Sequence, residues 1–170
     1  MKCERIHIVQ GQYATASGPD AIISTLLGSC VAVCLWDEDL GIGGMNHMLL
    51  AKSSAGDHAR TLSGMQAMEL LINDLLKQGA MRNRLKAKAF GGASMVEGLS
   101  DVGQQNAEFT EHFLAQEGIP LTTASFGGTQ ARSVRFWPAN GRALQKLTNA
   151  NVDVVEVKAP ASTAQDVELF

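Results

Sequence analysis

The pattern of apolar and polar positions predicts strands towards both ends of the chain and two helices, separated by one strand, in its middle. The predicted strands are apolar runs of strand length, several alternating with polar positions and bounded by turn residues: 4–10, 21–35, 42–50, 84–90, 121–126, 133–137, 142–147 and 152–157. The stretch 12–20 is polar and is expected to form a turn region. This order of elements predicts the α+β class.

Two stretches repeat apolar residues at the spacing of a helix. The first is expected to begin at Ser63, an N-cap residue with Gln66 as its capping-box partner, and to end at Gly79. The second spans 102–117, and its inner face carries Asn106 among apolar residues. A buried amide needs hydrogen-bond partners, so Asn106 is either a clamp on a loop or a site residue. The clamp is favoured, and the turn at 91–92 is the expected loop.

The most apolar run of the chain begins directly after Cys30, and the next predicted strand carries His47. If these strands pair antiparallel across the acidic turn at 37–41, Cys30 and His47 come together at one end of a hairpin. A cysteine is nucleophilic as its thiolate, and a neighbouring imidazole can take its proton. Gly28 allows a sharp bend, after which the N–H groups of Ser29 and Cys30 can face a developing oxyanion.

The remaining cysteines and histidines fit structural roles better. Cys34 lies four positions after Cys30, which in a strand separates the two by about 13 Å, too far for a shared zinc ion. We therefore expect Cys34 to lie in the core. His58 is a rival base, but it falls in the small, polar stretch 51–62, which is predicted to be a mobile loop. His47 is preferred because a flexible loop cannot hold an imidazole in place.

Composition narrows the function classes. A length of 170 residues predicts one domain, and 45% apolar and 18% charged residues are ordinary for a globular protein. The net charge of -3 favours neither nucleic acid nor an anionic membrane as a partner. No apolar run approaches the roughly 18 residues of a membrane span. Three cysteines and a polar N-terminus without a signal-peptide core indicate a reducing cytoplasm.

Several motifs together resemble the CheD family of chemoreceptor glutamine deamidases. The matching segments occur in order over most of residues 5–150: Leu27–Leu35 (LGSCVAVCL), Gly43–His47 (GGMNH), Lys88–Met95 (KAFGGASM), Asn106, Gly127–Arg132 (GGTQAR) and Asn140–Arg142 (NGR). The resemblance implies that Cys30 is the nucleophile and His47 the general base. The family's third catalytic position, usually a threonine, lies six residues before the cysteine and falls on Ser24.

Because Thr25 is the next residue, the register between Ser24 and Thr25 stays open. Gly28, Ser29 and Thr25 are expected to contact the substrate. The resemblance also implies a layered α/β/β/α arrangement, two sheets flanked by helices, similar to deamidating bacterial toxins. Residues 1–158 are expected to form this single domain, and the small, polar tail 159–170 is expected to be frayed.

The activity that the resemblance implies is cysteine-dependent deamidation of glutamine side chains on the cytoplasmic helices of methyl-accepting chemotaxis receptors. Neither a metal nor an organic cofactor is expected, because acyl transfer through a thioester supplies both chemical steps. A CheC-type phosphatase is implied as a second partner. The alternative is a regulatory module that binds and controls such a phosphatase without catalysis.

Overall fold

The computed structural model describes residues 3–50, 56–95, 102–148 and 167–170. In chain order these residues form β1 (Arg5–His7), β2 (Tyr13–Ser17), β3 (Ile22–Leu27), β4 (Val31–Asp37), β5 (Ile42–Met48), α1 (Asp57–Lys77), a short 3-10 helix (Arg82–Arg84), β6 (Lys86–Gly91), α2 (Val102–Glu117), β7 (Leu121–Phe126), β8 (Ala131–Trp137), β9 (Arg142–Thr148) and β10 (Val167–Leu169). The predicted α+β class is confirmed.

The strands form two five-stranded sheets. The first sheet has the order β1-β3-β8-β9-β10, and the second has the order β2-β5-β4-β6-β7. Each is mixed, because β1 runs parallel to β3 and β6 runs parallel to β7, while the other neighbours are antiparallel. Consecutive strands β3 and β4 belong to different sheets, so the chain crosses from the first sheet to the second between Leu27 and Val31.

Strand β4 shows how the layers stack. All seven of its residues are buried, and its side chains alternate between two cores. The odd-numbered side chains from Val31 to Leu35 pack against α1 and α2, while the even-numbered ones from Ala32 to Trp36 pack against the first sheet. Both described helices thus cover the outer face of the second sheet. The further helical layer of an α/β/β/α arrangement is not found among the described residues.

The prediction of one strand over 21–35 is wrong, because the chain leaves one sheet and enters the other within this run. Both strands are largely buried, so the apolar pattern continues across the change of sheet. The predicted antiparallel hairpin is confirmed: β4 and β5 pair from Val31 opposite Met48 to Asp37 opposite Ile42, with Ala32 opposite His47.

The polar stretch at 12–20 contains a strand that the sequence pattern did not predict. Strand β2 pairs with β5 at the edge of the second sheet, and one of its five residues is buried. An edge strand with little buried surface needs few apolar residues. Its sequence therefore lacks the pattern on which strand prediction depends.

The first helix begins seven residues earlier than predicted, because its N-cap is Gly56 and not Ser63 and its first residue is Asp57. His58 therefore lies in a helix and not in a loop, while 51–55 of the predicted loop fall outside the described residues. The helix ends at Lys77, before Gly79 with its φ of 105°, as predicted. Neither described helix is long and apolar enough to cross a membrane.

The last residues of the chain are not frayed. Val167–Leu169 pair with β9, and the backbone N–H and carbonyl of Phe170 both bond to Ala143. The Phe170 ring also packs edge-on against Phe90, with 5.3 Å between the centroids. The tail was expected to be frayed, and these contacts show that this expectation is wrong for residues 167–170. The predicted strand at 152–157 lies outside the described residues.

Candidate active site

Cys30 ends the three-residue crossing between the two sheets, and the backbone of this crossing is held from one side. Its three consecutive carbonyls all accept hydrogen bonds: Gly28 O from Ala93 N at 3.1 Å, Ser29 O from Asn106 Nδ2 at 2.8 Å and Cys30 O from Gly92 N at 2.9 Å. No acceptor for the N–H of Ser29 or Cys30 is found within the described part of the chain. The carbonyls of the crossing are therefore fixed by two segments, the backbone at 92–93 and helix α2.

Asn106 fixes this crossing from α2. Its side chain is fully buried, and its Oδ1 accepts a hydrogen bond from Leu50 N at 3.1 Å while its Nδ2 donates to Ser29 O. The predicted clamp is confirmed, but it holds the crossing at Ser29 rather than the turn at 91–92. One amide thus joins Ser29, the residue before Cys30, to Leu50, the second residue after the strand of His47.

Gly91 lets a second backbone segment approach the crossing. Its φ is 123°, and a Cβ at this position would lie 2.1 Å from Cys30 O. Only glycine satisfies both the conformation and the space. The glycine pair Gly91-Gly92 therefore lies against the Cys30 backbone.

His47 lies on the face of β5 that is turned towards the first sheet, and it is 7% exposed. Its Nδ1 lies 2.8 Å from Thr25 Oγ1, and the same hydroxyl lies 2.7 Å from Ile8 O. A hydroxyl has one proton, and a carbonyl can only accept, so Thr25 donates to Ile8 O and accepts from His47 Nδ1–H. This arrangement keeps the proton on Nδ1 and leaves the lone pair on Nε2, the nitrogen that a general base needs.

The structure brings Thr25, and not Ser24, to the imidazole. Side chains alternate along β3, so a shift of one residue moves a hydroxyl to the opposite face of the sheet. Ser24 Oγ instead lies 3.1 Å from Nδ1 of His7, on the exposed side. Of the two hydroxyls between which the sequence left the register open, Thr25 is therefore the one beside His47, and Ser24 lies away from it.

The segment before β2 forms a wall of the site that sequence reasoning missed. Oε1 of Gln10 lies 3.9 Å from Cys30 Sγ, a distance suited to a weak S–H···O contact. Gln10 and Gly11, which has a φ of 84°, occupy the centre of a turn closed by a hydrogen bond from Gln12 N to Val9 O. The glycine was the available signal for this turn, but nothing in the pattern pointed from it to Cys30.

The thiol and the imidazole are both neutral in the resting protein. Burial raises the pKa of Cys30 to about 11. Burial, together with a smaller contribution from the charge of His7, lowers the pKa of His47 to about 4. The proton therefore stays on sulfur at neutral pH, and no hydrogen bond joins Cys30 to His47 among the described residues. A resting thiolate–imidazolium pair, the usual activated form, is not what this burial favours.

The other candidate residues lie apart from this arrangement. Cys34 is fully buried between the sheets, as predicted, and burial strongly raises the pKa of its thiol. His58 is exposed in the first turn of α1, and no hydrogen bond to Cys30 is found for it in the described residues. The fold thus joins Thr25 to His47 and places Cys30 directly before β4, the strand that pairs with the strand of His47.

Comparison with known proteins gives these residues a family context. A family described as "CheD chemotactic sensory transduction" matches residues 48–147. A "Probable chemoreceptor glutamine deamidase CheD" of Caulobacter vibrioides is 49% identical over 98% of this chain and 93% of its own length. A relative of the same name from Rhizobium leguminosarum bv. trifolii is 51% identical over 96% of this chain and 92% of its own.

Among solved structures, the hypothetical protein YfiH of Bacillus licheniformis is similar with a TM-score of 0.45 and 12% identity, over 66% of this chain and 49% of that one. This likeness is too slight to support an argument. The family model covers more than half of the chain, and the relatives match nearly all of it. The chain therefore belongs to the CheD family.

Proposed function

We propose that this protein removes the amide group from glutamine side chains on the cytoplasmic helices of methyl-accepting chemotaxis receptors. The product is glutamate, and ammonia is released in the cytoplasm. The hydrogen-bond chain from Ile8 O through Thr25 to His47 is the observation that supports this most, because it prepares Nε2 to accept a proton at the Cys30 end of the hairpin. The choice of substrate is supported by relatives that match this chain over nearly its full length and are named as probable chemoreceptor glutamine deamidases.

The first chemical step forms a thioester. Sγ of Cys30 attacks the side-chain carbonyl carbon of the substrate glutamine while its proton passes to Nε2 of His47. The N–H groups of Ser29 and Cys30 donate to the oxygen of the tetrahedral intermediate. His47 then gives its proton to the departing nitrogen, the C–N bond breaks, and ammonia leaves.

The second step regenerates the thiol. A water molecule gives a proton to His47 and attacks the thioester carbonyl carbon, and the C–S bond breaks as the proton returns to sulfur. Because the resting thiol has a pKa of about 11, proton transfer accompanies attack on the bound amide instead of preceding it. The sequence of steps balances without a metal or an organic cofactor.

The test is deamidation of a purified cytoplasmic receptor fragment, followed by mass spectrometry. Each converted glutamine gains about 1 Da and is located by peptide sequencing, with ammonia measured in parallel. Cys30→Ala is expected to abolish conversion, while Cys34→Ser, at the buried core thiol, is expected to retain it. Undiminished conversion by Cys30→Ala would contradict the proposal.

A second candidate function is control of a CheC-type phosphatase by binding alone. The high pKa of the Cys30 thiol favours it, because a neutral thiol suits a site that no longer reacts. Under this alternative, phosphatase binding survives Cys30→Ala and the wild-type protein releases no ammonia from receptor fragments. Ammonia release that depends on Cys30 decides for the enzyme.

A further inference from the structure

The turn at 9–12 is attached to the candidate active site at several points. Gly11 N donates to His47 O at 2.9 Å, and His47 N donates to Gln12 O at 3.0 Å. On the other side, Ile8 O accepts the hydroxyl of Thr25. The backbone that carries Gln10 is therefore fixed directly to the base and to the residue that orients the base.

The side chain of Gln10 lies on the solvent side of the nucleophile. Cys30 is 8% exposed, whereas Gln10 is exposed, and Oε1 of Gln10 is the group in contact with Sγ. A group that binds at Sγ therefore has this carboxamide as a neighbour. Its oxygen accepts hydrogen bonds, while the N–H groups of Ser29 and Cys30 beside the thiol donate them.

We propose that Gln10 is a substrate-positioning residue whose Oε1 accepts a hydrogen bond from the NH2 group of the substrate carboxamide and thereby selects an amide over a carboxylate. This inference rests on the proposed deamidation and names the group that recognises its substrate. A primary amide offers an acceptor oxygen to the backbone donors and a donor nitrogen to Gln10. The product carboxylate has two acceptor oxygens, so one of them faces Oε1 unfavourably and the product is released.

Two alkylating reagents test this without any receptor. Iodoacetamide carries a primary amide, and iodoacetate carries a carboxylate in its place. The rate of Cys30 modification by each is measured on the same variant, and the iodoacetamide rate is divided by the iodoacetate rate. Because both rates contain the same thiolate fraction, this ratio cancels any change in the pKa of Cys30.

Gln10→Met keeps the length of the side chain and removes its hydrogen-bonding groups without changing net charge. The ratio is expected to fall by about five-fold, the usual effect of one lost hydrogen bond. Gln12→Met is the matched control, because its Oε1 accepts a hydrogen bond from Val9 N at 3.0 Å and supports the turn. It is expected to leave the ratio at the wild-type value.

An unchanged ratio in Gln10→Met, or an equal fall in Gln12→Met, would overturn the proposal, since Gln10 would then only cover the thiol or support the turn. Receptor deamidation separates this outcome from failure of the proposed function. An enzyme that deamidates with an unchanged ratio refutes the role of Gln10 alone. If the wild-type protein has no deamidase activity but the ratio still falls in Gln10→Met, recognition of the amide by Gln10 stands and only the proposed enzymatic function is refuted.

Discussion

The hydroxyl of Thr25 gives the sharpest test of the site, because its hydrogen bond places the proton of the His47 imidazole on Nδ1. Thr25→Val has almost the same shape and fills the same buried space, so no cavity forms. It removes both hydrogen bonds of the hydroxyl, the one to Ile8 O at 2.7 Å and the one from His47 Nδ1 at 2.8 Å.

The magnitude follows from what is left unpaired. Ile8 O and Nδ1–H each lose a partner at a buried position, and an unsatisfied buried polar group costs about 1–3 kcal/mol. The free energy of unfolding is therefore expected to fall by about 2–6 kcal/mol. With nothing to hold the proton on Nδ1, the share of molecules with a basic Nε2 also falls. Since general base catalysis contributes about 100-fold or more, kcat is expected to drop by a similar factor.

Two measurements check this prediction. Nitrogen-15 NMR of the imidazole reports the tautomer directly and needs no substrate, and receptor deamidation reports kcat. Thr25→Ser keeps the hydroxyl and is expected to retain the Nδ1–H tautomer, while Ser24→Ala is expected to behave like the wild type because its hydroxyl faces His7. Loss of activity in Ser24→Ala with normal activity in Thr25→Val would refute the hydrogen-bond argument.

Three further predictions concern the backbone and the two titrating groups. Gly91→Ala places a Cβ against Cys30 O and is expected to lower the free energy of unfolding in urea by at least about 3 kcal/mol. Gly127→Ala, with a φ of 88° and no atom within 4 Å of its Cβ, should lower it by about 1–2 kcal/mol. Equal losses would contradict the close approach of Gly91 to Cys30. The pKa of His47 is lowered from 6.5 to about 4, so the unfolded chain binds a proton at this residue at a higher pH than the folded protein does. The free energy of unfolding should therefore fall by about 3 kcal/mol as the pH drops from 6.5 to 4, and by less in His47→Gln. Identical curves of unfolding free energy against pH for the two proteins would contradict this. Because the pKa of Cys30 is raised from 9.0 to about 11, iodoacetamide at pH 8 should alkylate it about 100-fold more slowly than a thiol whose pKa is 9.0. The alkylation rate should keep rising up to pH 10. A rate that is already constant at neutral pH would instead show a resting thiolate.

The hairpin that carries Cys30 and His47 could be predicted from the sequence because that information is local. An apolar run, an acidic turn and a second strand suffice to bring Cys30 near His47, and the structure has this pairing. The second helix, the turn between β8 and β9 and the clamp role of Asn106 were also predictable from spacing and from the need to satisfy a buried amide.

What escaped prediction depends on contacts between distant segments. The choice between Ser24 and Thr25 turns on which face of β3 meets β5, and a change of sheet within 21–35 leaves no mark on an apolar pattern. The contact between Gln10 and Cys30 joins residues of different elements. The pKa of each reactive group follows from burial in the folded protein, which residue type alone does not set.

The crossing at 28–30 has a mechanical consequence for the whole molecule. Thr25 belongs to one sheet, His47 to the other, and Cys30 to the link between them. Any sliding of one sheet over the other thus changes the spacing of all three at once, and a displacement of about 1 Å in a reacting group can cost 100-fold in rate. Between the sheets, Trp36 packs against Phe136 with 6.1 Å between their ring centroids, and this contact opposes such sliding.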